Sequence, residues 1–303
     1  MPAGSPQRPR IGYKRHVLTL ALSRFLAALP LSWVHLLGAL TGWIAYWSSP
    51  RYRRRLEGNL IQAVGPAART LRRRAIAEAG KQTLELPWVL LRPHAQVAAQ
   101  VRQVSGWALV EEAEAAGAGI LFLTPHLGCF EITAQYFAAH APITVLYRPP
   151  NFEALVPLIE AGRQRAGMAI APANVVGVRK LIRALRQHQA IGILPDQTPD
   201  AGEGTWSPFF GRPAWTMTLA ARLSEVSQVR VIGVWAERLP GGRGFHMHMR
   251  APAVPIEGDT EARVHAINQC MEALIMEGPA QYLWGYHRYR RPRGVPARPE
   301  VAA

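Results

Sequence analysis

Cysteine is nearly absent: Cys129 and Cys270 are the only two in 303 residues. That excludes a disulfide framework and a cysteine-built zinc site, and it suits a reducing compartment. Acidic residues are also scarce, 20 against 35 lysines and arginines, for a formal net charge of +15. Several catalytic signatures are missing as well. The chain has no Gly-x-Ser-x-Gly elbow, no P-loop and no His-Glu-x-x-His zinc motif. His246 and His248 alternate on one strand and so share a face, but two ligands without a third do not make a metal site. They read as strand residues, and no metal or cofactor is expected. Helix-turn-helix, zinc-finger and RRM patterns are absent, which leaves nucleic acid without a reading element. A basic membrane-associated nucleic-acid-binding protein is an alternative carried by charge alone.

What the chain does have is apolar content and arginine. Hydrophobic residues make up 49% of it, enough for a substantial core. Arginines cluster at Arg8 to Arg15, Arg51 to Arg55, Arg69 to Arg74 and Arg288 to Arg293. Such clusters serve solubility, or attract a polyanion such as an anionic bilayer or an acidic protein. Beside them, Phe25 to Trp47 carries no charged residue and is long enough to cross a bilayer. Pro30, Ser32 and His35 interrupt it, both flanks are basic, and Trp33, Trp43, Tyr46 and Trp47 favour an interface. No cleavable secretory signal is present. The reading is an anchor over residues 16–50 that dips into or lies on the cytoplasmic leaflet, with Arg51, Arg53, Arg54 and Arg55 on lipid phosphates. A single span and a buried soluble hairpin are the alternatives.

Residues 1–15 read as a basic tail and 291–303 as a Pro- and Arg-rich one. Between the anchor and the second tail, residues 51–290 read as one domain. Strands are expected at Val101–Val104, Gly119–Leu123, Ile143–Tyr147 and Ile191–Leu194, and a hairpin at Val229–Arg238 and Phe245–Arg250 through Pro240-Gly241-Gly242. Helices are expected over 66–80, 81–92, 108–116, 132–139, 152–166, 177–187, 216–224 and 261–277. Alternating strands and helices imply an α/β fold with a mostly parallel sheet flanked by helices.

Within that frame, His126-Leu127-Gly128-Cys129-Phe130-Glu131 stands where the apolar run Gly119–Leu123 hands over to a helix, the rim at which α/β sheets collect ligands. A histidine followed five residues later by a carboxylate supplies a base and a group to orient it. The plainer reading is a structural histidine and a helix-favouring Glu131. Other polar groups follow predicted strands: Arg148, which can bind a phosphate or oxyanion or merely precede two prolines, and Asp196 with Gln197. Asp196 holds an acceptor hydroxyl, positions Arg148, or simply ends a strand. Trp206 to Gly211 forms a stiff aromatic loop, either an acyl-pocket floor or ordinary core.

Pro125-His126-Leu127-Gly128-Cys129-Phe130-Glu131, Tyr147-Arg148-Pro149, Asp196-Gln197, Phe209-Phe210-Gly211-Arg212-Pro213-Ala214 and Gln281-Tyr282-Leu283-Trp284 occur in one order. In this order the chain resembles the bacterial lipid A biosynthesis acyltransferases over nearly its whole length. Cys129 stands where that family often has Asn, and Ala280 where Glu is usual. The resemblance implies a membrane-associated enzyme on the cytoplasmic face of the inner membrane. It would move an acyl chain from an acyl thioester, acyl carrier protein or acyl-CoA, to a hydroxyl of a lipid A precursor. It further implies His126 as general base oriented by Glu131, Arg148 on phosphate or oxyanion, Asp196 and Gln197 on substrate, and Phe209, Phe210 and Gly211 around it. A lysophospholipid or another glycolipid or aminolipid is the alternative acceptor.

Overall fold

The computed structural model describes residues 10–149, 155–165 and 167–299, with side chains from residue 18 onward. The start of the basic tail, part of the turn after Arg148 and the last four residues lie outside the described residues.

Four helices come first: α1 (Arg10–Ala28), α2 (Leu31–Ser48), α3 (Pro50–Val64) and α4 (Ala68–Leu91). Then follow α5 (His94–Ala98), β1 (Val101–Ser105), α6 (Ala108–Ala115), β2 (Gly119–Leu123), α7 (Phe130–Ala138), β3 (Ile143–Tyr147), α8 (Val156–Arg163) and β4 (Met168–Pro172). The second half holds α9 (Val175–Arg186), β5 (Ala190–Ile193), β6 (Gly204–Phe209), β7 (Arg212–Met217), α10 (Leu219–Ser224), β8 (Val229–Arg238), β9 (Phe245–Arg250) and α11 (Thr260–Glu277). Seven strands form a sheet in the order β1-β9-β8-β2-β5-β3-β4. Every neighbouring pair is parallel except β8 with β9. Strands β6 and β7 pair separately as an antiparallel hairpin.

Strand β2 lies at the centre, and all five of its residues are buried. Because side chains alternate along a strand, Leu121 and Leu123 enter one core with Leu181 and Leu185 of α9 and Met271 and Leu274 of α11. Ile120 and Phe122 enter the other, with Val110 of α6 and Phe137 of α7. Two covered faces force β2 to read as a continuous apolar run, which is why its bounds are visible in the sequence.

The apolar N-terminal stretch does not form the single span that is the alternative to an anchor lying on one leaflet. No helix of the described residues is long and apolar enough to cross a membrane. The stretch instead breaks at Pro30 into α1 and α2, and α2 packs along α4. Gly38 and Gly42 of α2 meet Gly80 of α4 so closely that a Cβ on any of the three would overlap the other helix's backbone. Arg92 caps the bend by donating to the carbonyls of Ala27, Ala28 and Leu29. Val34, His35 and Tyr46 of α2 are buried, whereas Trp33, Leu36, Leu40, Ile44 and Trp47 stay exposed on its other side. Leu18, Leu22 and Phe25 do the same on α1.

Other boundaries shift. Residues 10–15 of the expected tail are helical. The two helices expected over 66–92 are one, α4, which continues through Pro87. The aromatic loop expected at Trp206 to Gly211 is largely strand, because Gly204–Phe209 and Arg212–Met217 pair with each other, and the helix expected over 216–224 starts only at Leu219.

Candidate active site

His126 and Asp196 meet because of register. Leu123 of β2 pairs with Ile193 of β5, and each of the two polar residues follows its paired position by the same three residues. The strands end together, so the loops beyond them converge on one rim. There Asp196 Oδ1 accepts from His126 Nδ1 at 2.7 Å and Oδ2 accepts from the His126 backbone N–H at 2.9 Å. This fixes the tautomer with the proton on Nδ1 and leaves Nε2 as acceptor. The Gln197 side-chain amide donates to that Nε2 at 3.0 Å. Asp196 is 1% exposed, and burial disfavours its charge. The facing His126 and the Arg288 guanidinium outweigh burial and hold its carboxyl below the usual range.

Glu131 does not orient His126, contrary to the sequence expectation. It sits in the first turn of α7 and turns inward, where Arg163 of α8 takes both its oxygens, Nε to Oε1 at 2.8 Å and Nη2 to Oε2 at 2.5 Å. Burial disfavours the Arg163 charge, but Glu131 more than restores it and raises its pKa. The pair lines an apolar cavity between α7 and the sheet, together with Phe122, Phe137, Val145 and Val234. The cavity is narrow, with about 40 Å³ of free space for a water-sized group. Phe130 links it to the base: its ring lines the cavity and lies 4.9 Å from the imidazole.

The loop bearing His126 is held from behind by buried polar groups, of which only Gln281 stands in a motif. Gly128 has φ +58°, and a Cβ there would overlap the Ala236 carbonyl oxygen, so only glycine fits. Its N–H donates to the Gln281 carbonyl at 3.1 Å, and its own oxygen accepts from Gln82 and Arg238. Gln82 also donates to the His126 carbonyl at 3.1 Å. Arg238 in turn grips Glu85 with Nε and Nη2 and Glu78 with Nη1, and His35 of α2 faces Glu85 at 3.1 Å. Burial opposes the Glu85 charge, yet Arg238 and His35 bring its pKa down to about 2. Glu78, Gln82 and Glu85 lie four and three residues apart on one face of α4, the signal that could have marked them. The other signal is Arg238 itself, a cation ending an apolar strand.

Three further expectations need correction. Arg148 is 52% exposed and pairs with Asp200 at 3.0 Å and Glu203 at 3.2 Å, so neither Asp196 nor His126 engages it. Phe209 is core, under the Arg288 guanidinium. Phe210 and Gly211 form the β6–β7 turn, both with positive φ (47° and 71°), as a type I′ hairpin requires, and neither lines the cavity. His246 and His248 do gain a third group: Glu237 lies opposite across the β8–β9 pair, and the three ligand atoms fall within 4.8 Å. His248 bonds Glu237 and His246 bonds Ser105, so protein partners already engage both rings.

A family model described as bacterial lipid A biosynthesis acyltransferase matches residues 2–291. The chain is similar to a lipid A biosynthesis lauroyltransferase of Escherichia coli strain K12, 28% identical over 200 residues, covering 65% of this chain and 64% of that protein. It is also similar to a lipid A biosynthesis palmitoleoyltransferase of the same strain, 24% identical over 193 residues, covering 63% and 62%. A lipid A biosynthesis acyltransferase of Haemophilus influenzae is 25% identical over 178 residues, covering 58% and 55%. The matched stretch thus spans less than two thirds of these relatives' own length.

Proposed function

The chain belongs to the bacterial lipid A biosynthesis acyltransferases, and from that premise we propose that it moves a fatty acyl chain from an acyl thioester to a hydroxyl of a lipid A precursor. One observation carries the reading: an imidazole whose Nδ1–H is held by a buried carboxylate, with its ring 4.9 Å from Phe130, which lines an apolar cavity. The acyl chain lies against the cavity's apolar side chains, which part to admit it. The acceptor hydroxyl replaces Gln197 on Nε2, gives its proton to His126, and its oxygen attacks the thioester carbonyl. The C–O bond forms first, giving a tetrahedral oxyanion. Its collapse re-forms the carbonyl and breaks the C–S bond, and the proton on Nε2 passes to the departing thiolate. Asp196 stabilises the imidazolium between these steps. Arg163, fixed by Glu131, faces the cavity as the cation for the tetrahedral oxyanion.

The donor is an acyl carrier protein or acyl-CoA, and an acidic carrier protein suits the basic surface. The test combines purified protein, a lipid A precursor and each donor, read by mass spectrometry. We expect one acyl chain to be added to the precursor and no addition by folded His126→Ala. Transfer confined to lysophospholipids, or a fully active His126→Ala, overturns the proposal.

The enzyme works at the membrane without spanning it. The exposed stripe of α2 and that of α1 present large apolar side chains and two tryptophans, the face of a helix that lies in one leaflet. Replacing Leu36, Leu40 and Ile44 with Gln is expected to weaken binding to anionic vesicles at least tenfold, since each inserted side chain contributes roughly 1.5–3 kcal/mol. The melting temperature should barely move, because all three are exposed. Undiminished vesicle binding places the membrane face elsewhere.

A further inference from the structure

Among the described residues, one cleft gathers several cations and has no acid in its lining. Arg51, Arg54, Arg55, Arg212 and His287 line a cleft with Asn59 and Tyr289. Among the described residues, no carboxylate lies within ion-pair distance of Arg51, Arg54, Arg55 or Arg212. Arg148 has Asp200 and Glu203, Arg163 has Glu131, Arg238 has Glu85 and Glu78, and Arg250 has Glu277. Surface arginines such as Arg69 and Arg73 also lack an acid among the described residues, so it is the gathering of four guanidinium groups in one cleft that sets this place apart. Glu57, the one acid of α3, is turned away to Arg72 and the Tyr46 hydroxyl.

The cleft is built rather than incidental. Residues 51, 54, 55 and 58 share one side of α3, and Gly58 adds no side chain there, so the arginines border open space. Arg212 is stacked on the Tyr289 ring at 4.6 Å, and the Tyr289 hydroxyl is tied to the Phe209 carbonyl at 2.9 Å. That stacking holds one guanidinium ready before a ligand arrives. Burial, then the charges of Arg55, Arg290 and Arg212, push the His287 imidazole below its usual value, which reports the local field. Arg53 belongs elsewhere, over the Tyr46 and Trp47 rings at the end of the apolar stripe.

The position of the cleft decides what it binds. Asn59 donates to the carbonyls of Trp284 and Tyr286 at 2.7 and 2.9 Å, fastening α3 to the segment that runs past His126. In that segment Leu283 N–H donates to the His126 carbonyl, and the Tyr286 hydroxyl accepts from Thr198 next to Gln197. The arginine cleft and the base therefore share one wall. We infer that the cleft formed by Arg51, Arg54, Arg55, Arg212 and His287 binds a phosphate monoester of the acceptor's sugar headgroup, and so fixes which hydroxyl reaches His126. Guanidinium forks match phosphate oxygens in pairs, and a monoester offers more charge and more free oxygens than the diesters of the surrounding bilayer. The inference rests on the proposed acyl transfer for the identity of the acceptor.

The test measures binding with no acyl donor present, so it stands apart from the activity. The full chain is titrated with a lipid A precursor carrying its phosphates, and with the same lipid after phosphatase treatment, both in neutral detergent micelles. Wild type should bind the phosphorylated lipid at least tenfold more tightly. Arg55→Gln/Arg212→Gln should lose that preference, and so should Arg54→Gln in part, a milder change at an exposed residue without a partner. Arg69→Gln/Arg73→Gln removes the same charge from the exposed surface of α4 and should keep the preference. Equal binding of both lipids by wild type, or a preference that survives in the cleft variant, overturns the inference. So does a cleft variant that loses phosphatidylglycerol vesicles as severely as the precursor, since the cleft would then sense bulk bilayer charge. Acyl transfer to both lipids with equal KM removes the inference and leaves the proposed function standing. A preference for phosphorylated lipid without any transfer removes the function and leaves the cleft.

Discussion

Asp196→Asn is expected to lower kcat by about 10³–10⁴-fold while the protein stays folded, the scale seen when the aspartate of a His–Asp pair becomes an amide. The carboxylate now accepts twice from His126, at Nδ1 and at the backbone N–H. An asparagine has only one acceptor oxygen, and if the backbone N–H keeps it, the amide NH₂ faces Nδ1. The imidazole then carries its proton on Nε2, where the base is needed. The negative charge that steadies the imidazolium is lost at the same time. Glu131→Gln acts only through Arg163, and a loss nearer tenfold is expected from it. Single-turnover acyl transfer by both variants, with a melting curve for each, separates the two roles. A near-normal Asp196→Asn beside a dead Glu131→Gln would restore the pairing that the motif spacing suggests.

That contrast shows where the sequence stops being legible. His126 could be found because β2 is buried on both faces, so its apolar run is unbroken and Thr124-Pro125 ends it. Its partner could not be ranked, because Glu131 is near in the chain while Asp196 is near in space. The equal offset of His126 and Asp196 past their strands is visible in the sequence. That β2 and β5 are neighbours is a property of the crossovers, which pattern does not reveal. The hairpin β6–β7 hid for a different reason. Its Pro208, Pro213 and aromatic residues suggest a loop, and only the pairing with each other makes strands of them. The charge-free stretch at the N-terminus was plain, but its one-sidedness was not. His35 looks like an interruption of an anchor until α4 is seen packed against α2, with Glu85 facing His35 and Gly80 meeting Gly38 and Gly42.

The other large effect is expected far from the chemistry. Arg238→Met should destabilise the fold by about 3–5 kcal/mol, the usual consequence of stripping one partner from a buried ion pair. Met fills much of the aliphatic volume, so the loss is electrostatic rather than a cavity. Glu85, 2% exposed, would keep only His35, and Glu78 only Lys81. The pH dependence identifies the cause. In wild type the folded pKa of Glu85, about 2, lies below its ordinary 4.5, so its contribution is present above pH 4.5 and is lost as pH falls towards 2. That shift corresponds to about 3 kcal/mol, the same order as the predicted loss. Wild type and Arg238→Met should therefore differ most near neutrality and converge between pH 4.5 and 2 in denaturant titrations. Adding Glu78→Gln and Glu85→Gln to the methionine variant should recover part of the stability, since no charge is then stranded. A constant gap across that pH range, or a loss under 1 kcal/mol, would mean the network is not what holds the helices to the sheet. Activity should fall in step with stability in Arg238→Met and stay low in the triple variant. Arg238 also supplies a hydrogen bond to the Gly128 carbonyl, and without it the loop that aims His126 loses its rear support.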